Sequence, residues 1–261
     1  MDAAKLERLL ALAVRAAQTP AGLLTGYFSD LALNVERKSD GSPVSIADRE
    51  AETAIRNVLQ GDPAGADFDV LGEEFGEKGN KTRYRWLIDP IDGTRSFVNR
   101  ISLFGTIVAL EDRETAKALI GVIHLPVLNM TYSAARGLGC VCNGTAVSVS
   151  RDAEPETSII ATGDIAQFTS AGCEEMFRQL AGACPYLRGY TDCFGHTLVI
   201  NGSVGAMVDP ALNPWDAAAT QVLVEEAGGR VVTRPSRAEN KLDILFGAPK
   251  LVERLVSLLR F

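Results

Sequence analysis

The chain of 261 residues carries a formal net charge of −7, with 46% hydrophobic and 23% charged residues. That length accommodates one large α/β domain or two closely packed halves, and the composition is ordinary for a globular enzyme. The acidity disfavours a nucleic-acid backbone as partner and suits a site that holds metal cations.

Leu6, Leu9, Leu10, Ala13, Val14 and Ala17 recur at helical spacing and predict an amphipathic first helix. After a turn cluster at 38–43, a second helix is expected to start near Ser45 as N-cap and to bury Ala54, Ile55, Val58 and Leu59. Short β-like runs follow at 69–71, 84–88, 104–110, 119–125, 130–134 and 139–149. The later half alternates. A strand near 158–161, a helix around 174–180 and another across 196–201 precede a strand at 206–208 that runs into Asp209. A helix begins at Pro214-Trp215-Asp216, strands are expected at 230–233 and 244–246, and a helix closes the chain over 250–260. Sheets covered by helices are implied, as one domain of two halves, 1–153 and 154–261, that share a cleft. The seam is expected at 154–156.

Five cysteines form no C-x-x-C pair and read as reduced, mostly buried thiols rather than a zinc site or disulfide framework. The first residues are charged and helical without a cleavage signal, and no apolar run approaches ~20 residues. A cytoplasmic protein with no membrane partner is expected.

The stretch WLIDPIDGTRSF (86–97) carries the chemistry. A strand ending in Asp89 projects its carboxylate at a sheet edge, Pro90 stiffens the turn, and Asp92 returns to the same side. Gly93 permits close backbone approach to a ligand, and Thr94 offers a hydroxyl and an amide at the next segment. Two carboxylates ~4 Å apart repel by roughly 4 kcal/mol at an effective dielectric of about 20, unless a cation lies between them. Glu73 and Glu74 end the apolar run Val70-Leu71-Gly72 in the same manner, and Asp216 follows Pro214-Trp215 at a helix start. An all-oxygen set without a His–Cys cluster points to a hard cation such as Mg²⁺. Each piece alone is also read as a turn former, helix cap or solvated loop; their joint occurrence favours the site. His124 and His196 are expected to be satisfied core or surface residues.

G-E-E (72–74), W-L-I-D-P-I-D-G-T-x-x-F (86–97), P-W-D-A-A (214–218) and E-E-A-G-G (225–229), preceded by P-V-S-I-A-D-R-E (43–50), resemble the inositol monophosphatase family. The resemblance implies a Mg²⁺-dependent, lithium-sensitive phosphomonoesterase with a layered α-β-α-β-α fold, acting as a homodimer on a small phosphorylated metabolite. It also implies that Glu73, Asp89 and the carbonyl of Ile91 hold one metal, and that Asp89, Asp92 and Asp216 hold a second. Asp48 would support Thr94 or a third, weaker ion through water. Asp92 and the amides of Gly93 and Thr94 would bind the phosphate, and Glu73 and Thr94 would orient and deprotonate the attacking water. All five of Glu73, Asp89, Asp92, Thr94 and Asp216 are present, which argues against a silent relative that only binds a phosphometabolite.

S-F-V-N-R-I-S-L-F-G-T (96–106) and L-R-G-Y-T-D-C-F-G-H (187–196) are more similar to the histidinol-phosphatase branch than to the inositol branch. Histidinol phosphate carries an ammonium group and an imidazole, which a carboxylate would read. Asp192 is the favoured candidate, with Asp209 and Arg188 as further substrate contacts; a helix cap is the competing role for Asp192. Inositol phosphate, fructose bisphosphate and adenosine bisphosphate are the rival substrates. Asn99-Arg100-Ile101 departs from the glycine and proline usual there, so Arg100 either binds a second anionic group or is solvated.

Overall fold

The computed structural model describes residues 1–30, 35–37 and 43–261, with side chains for 1–30 and 46–261. The chain begins with α1 (Ala3–Gln18), capped by Asp2, whose carboxylate accepts from the Lys5 amide at 2.8 Å. Then come α2 (Ala21–Ser29), the antiparallel pair β1 (Val35–Arg37) and β2 (Pro43–Ser45), and α3 (Ile46–Gly61). The strands β3 (Asp69–Gly72), β4 (Gly76–Lys78) and β5 (Tyr84–Asp92) follow, then the short α4 (Thr94–Val98). Strands β6 (Gly105–Asp112), β7 (Lys117–Leu125), β8 (Met130–Ala135), β9 (Cys140–Cys142) and β10 (Thr145–Ala146) complete the first half. The second half contains β11 (Ile160–Thr162), α5 (Ile165–Ser170), α6 (Glu174–Ala183), β12 (Leu187–Gly189) and α7 (Asp192–Ile200). It closes with β13 (Ala206–Leu212), α8 (Pro214–Glu226), β14 (Arg230–Pro235), β15 (Leu242–Gly247) and α9 (Pro249–Leu259).

Eight strands form one sheet in the order β10-β9-β8-β7-β6-β5-β3-β4, antiparallel except for β3 beside β5. Five form a second, β12-β11-β13-β15-β14, in which β11 runs parallel to both its neighbours. Helices α1 and α3 cover one face of the large sheet, and α8 packs on its other face against β5 to β8. That helix also meets β14 and β15, while α5, α6 and α9 cover the far side of the small sheet. The layers are therefore α-β-α-β-α, as the motif resemblance implies. One apolar cluster takes Leu87 and Ile107 from the large sheet, Ala219 and Leu223 from α8, and Met207 and Phe246 from the small sheet. Among the described residues no helix is long and apolar enough to cross a membrane.

Several elements differ from the sequence expectation. Helix α2 is unanticipated because its apolar residues show little one-sidedness. The 139–149 run divides into β9 and β10 at Asn143-Gly144, both with positive φ (48° and 80°), which makes a tight hairpin turn. Helix α7 begins four residues earlier than expected, at Asp192. In α3 the buried face turns toward Ala51, Glu52, Ile55, Arg56 and Leu59, leaving Ala54 and Val58 half-buried. A charged pair, Glu52 and Arg56, occupies part of that face. The turn expected at 38–43 and the Ser45 cap lie almost wholly outside the described residues.

Candidate active site

Strand β5 buries Trp86, Leu87 and Ile88 and then delivers two acids. Its pairing with β6 holds as far as Asp89 opposite Ile107, slips, and resumes with Asp92 opposite Gly105. This irregularity, formed around Pro90 and Ile91, brings both carboxylates to one side. Asp216 joins them from the first turn of α8. One ligand oxygen each from Asp89, Asp92 and Asp216 lies within 4.8 Å of the others. Asp89 and Asp216 are buried and Asp92 partly so.

Neighbouring backbone fixes each acid. The Ile91 amide donates to Asp89 Oδ1 at 3.0 Å, and the Asn213 amide donates to Asp216 Oδ2 at 2.8 Å in a reciprocal helix cap. Asp92 Oδ2 accepts the Cys193 amide from α7. Glu73 leaves β3 beside Asp89, because Gly72 pairs with Ile88, and its amide donates to the Ile88 carbonyl at 3.3 Å. Thr94 Oγ1 donates to the Ile91 carbonyl at 2.9 Å.

Crowding of acids shows in their protonation. Burial first, then Glu73, Asp92 and Asp216, push Asp89 well above the usual carboxylate range. Burial and then Asp192 and Asp216 do the same to Asp92. Asp216 is pushed up to about 7, by burial first and then Glu73. Burial also raises Asp192, opposed by the Thr191 hydroxyl, which donates to its Oδ2 at 2.8 Å.

The cleft around these groups has a volume of about 480 Å³. Glu73, Asp89, Ile91, Asp92, Gly93, Thr94, Asp192 and Asp216 all line it. Gly93 has φ +87°, and a Cβ there would lie 3.1 Å from the Leu103 carbonyl and 3.2 Å from Asp192 Oδ2. Only glycine combines that conformation with so close a carboxylate. The α4 amides begin here, and Phe97 is the first to reach an acceptor within its own turn, the Gly93 carbonyl.

Three expected residues lie elsewhere. Asp48 is buried in the first turn of α3, outside the wall of this cleft. Asp209 is buried on β13, where its Oδ2 meets His196 Nε2 at 3.0 Å and its Oδ1 has no partner among the described residues. The His196 Nδ1 meets Thr220 Oγ1 at 2.7 Å, so this histidine is a core residue. His124 is likewise buried, against Thr131 Oγ1 at 2.9 Å. Arg188 is exposed in an adjoining pocket of about 310 Å³ that shares Asp164 and Thr191 with the cleft. Arg100 is exposed, in keeping with the solvated alternative, and donates to the carbonyls of Phe28 and Asp30 at the end of α2, where it caps a helix terminus.

Sequence reasoning missed three charged groups of the cleft. Arg95 from α4 pairs with Asp164, the N-cap of α5, at 3.2 Å across the two halves. Lys241, between β14 and β15, lines the cleft and partly offsets the upward shift of Asp216. None stands at the end of an apolar run, the signal that revealed the others.

The acids fit a hard divalent cation. Their donors are oxygens only, no histidine or cysteine belongs to the set, and their mutual repulsion and desolvation call for positive charge between them.

Comparison with known proteins agrees with this geometry. The family model described as "Inositol monophosphatase family" matches residues 5–260. A histidinol-phosphatase of Chlorobaculum parvum is 40% identical over 220 residues, covering 84% of this chain and 83% of that protein. A fructose-1,6-bisphosphatase/inositol-1-monophosphatase of Aquifex aeolicus is 30% identical, covering 75% and 74%. The crystal structure of extragenic suppressor protein suhB from Bartonella henselae superposes with a TM-score of 0.86 at 29% identity, covering 97% and 98%.

Proposed function

This chain belongs to the inositol monophosphatase family, and we propose that within it the protein is a Mg²⁺-dependent histidinol-phosphate phosphatase. The observation that carries the phosphatase chemistry is the convergence of Asp89, Asp92 and Asp216, one of them far along the chain, with ligand oxygens within 4.8 Å of one another. Glu73, Asp89 and the Ile91 carbonyl would hold one cation, and Asp89, Asp92 and Asp216 another. Bound there, divalent cations supply Lewis acidity toward phosphoryl oxygens and make water easier to deprotonate.

The chain's own groups do the rest. Thr94, its hydroxyl fixed on the Ile91 carbonyl, and Glu73 orient the attacking water, and Glu73 accepts its proton. The amides of Gly93 and Thr94 hold the phosphoryl oxygens at the start of α4. Asp48, in the first turn of α3 and outside the cleft wall, would act on this edge only through water.

Substrate choice is drawn from Asp192. Its carboxylate stands on the cleft wall beside Gly93 and suits the ammonium group of histidinol phosphate. Arg188, in the adjoining pocket, would contact the distal part of the substrate. The similarity to a histidinol-phosphatase supports the same choice. The 30%-identical bisphosphatase/inositol monophosphatase makes inositol 1-phosphate the second reading. Purified protein with Mg²⁺, assayed on both esters, decides: faster turnover of inositol 1-phosphate than of histidinol phosphate overturns the assignment.

A further inference from the structure

Glu73 reaches the cleft from a three-residue turn between β3 and β4, an arrangement that leaves it on a short, half-exposed hairpin. What keeps such a hairpin in place lies behind it, on α3. Glu52, fully buried, and Arg56, 5% exposed, stand one helical turn apart and pair at 2.8 Å. Glu52 Oε2 accepts the Glu74 amide at 2.7 Å and Oε1 accepts the Phe75 amide at 3.3 Å. Arg56 donates to the Val70 carbonyl at 3.3 Å and to the Gly76 carbonyl at 2.6 Å. The pair therefore grips both strands and the turn itself. Residue 72 has to be glycine for this to occur, since a Cβ there would lie 2.1 Å from Glu52 Oε1.

We propose that the buried Glu52–Arg56 pair is a positioning device that fixes the Glu73 turn, and thereby the affinity of the cleft for its divalent cation. The proposal rests on the reading of Glu73 as a metal ligand. Burying an ion pair is costly compared with apolar packing, so a fold that only needed to fill this space would not require one. Here both charges are spent on backbone groups of one hairpin. The three amides that follow Gly72 are thus all held: Glu73 on Ile88, Glu74 and Phe75 on Glu52. A glutamate tethered this way keeps its carboxylate near Asp89 before any ion arrives, which is how supporting groups around a metal site raise affinity. Asp48 lies one further turn back on the same face of α3.

The test measures Mg²⁺ binding by calorimetry and amide hydrogen exchange over 73–76 in the intact protein. Glu52→Gln is expected to weaken Mg²⁺ about 10-fold and to speed exchange of the Glu74 and Phe75 amides. Substrate KM at saturating Mg²⁺ should stay within about twofold. Should Arg56, left unpaired, unfold that variant, Glu52→Gln with Arg56→Met removes both charges and the same two effects are expected. In a Glu73→Ala background, Glu52→Gln should weaken Mg²⁺ no further. Unchanged Mg²⁺ affinity in a folded Glu52 variant, or an additive loss on Glu73→Ala, overturns the proposal. Unchanged Mg²⁺ affinity in Glu73→Ala alone instead overturns the assignment of Glu73 as a ligand.

Discussion

Asp92 accepts the main-chain amide of Cys193, a hydrogen bond that ties the end of β5 to the first turn of α7 across the cleft. Asparagine keeps an oxygen for that amide while losing the charge. Asp92→Asn is therefore expected to cut turnover about 100- to 1,000-fold, on the order of the loss of one preorganised electrostatic group, with the fold preserved. Steady-state rates with Mg²⁺ and a melting curve without it check this. Near-full activity would remove Asp92 from the metal site.

The protonation of Asp216 sets a pH dependence. Its pKa in the folded protein is raised from 3.8 to about 7, so between those values the folded state holds a proton that the unfolded chain has released. Metal-free stability is thus highest at the acid end of that window and falls as pH rises through it. A divalent cation bound there would replace the proton and flatten the slope. Urea titrations at about pH 5 and about pH 7.5, with chelator and with Mg²⁺, measure it for the native protein and for Asp216→Asn. A metal-free protein that gains stability toward the higher pH relative to Asp216→Asn contradicts the assignment.

Asp192 combines a cleft carboxylate with φ +59°. Asparagine tolerates that left-handed conformation better than most residues, so Asp192→Asn tests charge without strain. We expect KM for histidinol phosphate to rise about 10- to 100-fold, the worth of one hydrogen bond to a charged group. Hydrolysis of a neutral-alcohol ester such as glycerol phosphate should change little. Equal losses on both esters would assign Asp192 to the architecture rather than to recognition.

Gly93→Ala places a methyl group against the Leu103 carbonyl and Asp192 Oδ2 at a positive φ. A loss of about 1–3 kcal/mol in denaturant titration is expected, with a larger fall in kcat than this stability change explains. Native-like kcat would show that this residue does not shape the proposed phosphate-binding turn.

These cleft acids were legible because each ends an apolar run: Trp86-Leu87-Ile88 before Asp89, Val70-Leu71-Gly72 before Glu73, Pro214-Trp215 before Asp216. Local sequence carries that pattern. The place of Asp209 was not legible, because β13 is buried along its whole length and shows no alternation to tell cleft from core. Arg95, Asp164 and Lys241 come together only through tertiary folding. Helix α2, AGLLTGYFS, has no polar stripe to mark it. The Asn143-Gly144 turn, by contrast, carried a hairpin signal that a single long strand concealed.

Helix α8 ends the list of acids with Asp216 and is at the same time the middle layer between the two sheets. A hinge that opened the cleft widely would have to pull this helix off one sheet and expose the apolar cluster it shares with both. Changes of cleft shape are thereby channelled to exposed positions such as Arg188 and the Arg95–Asp164 bridge, away from the clustered acids.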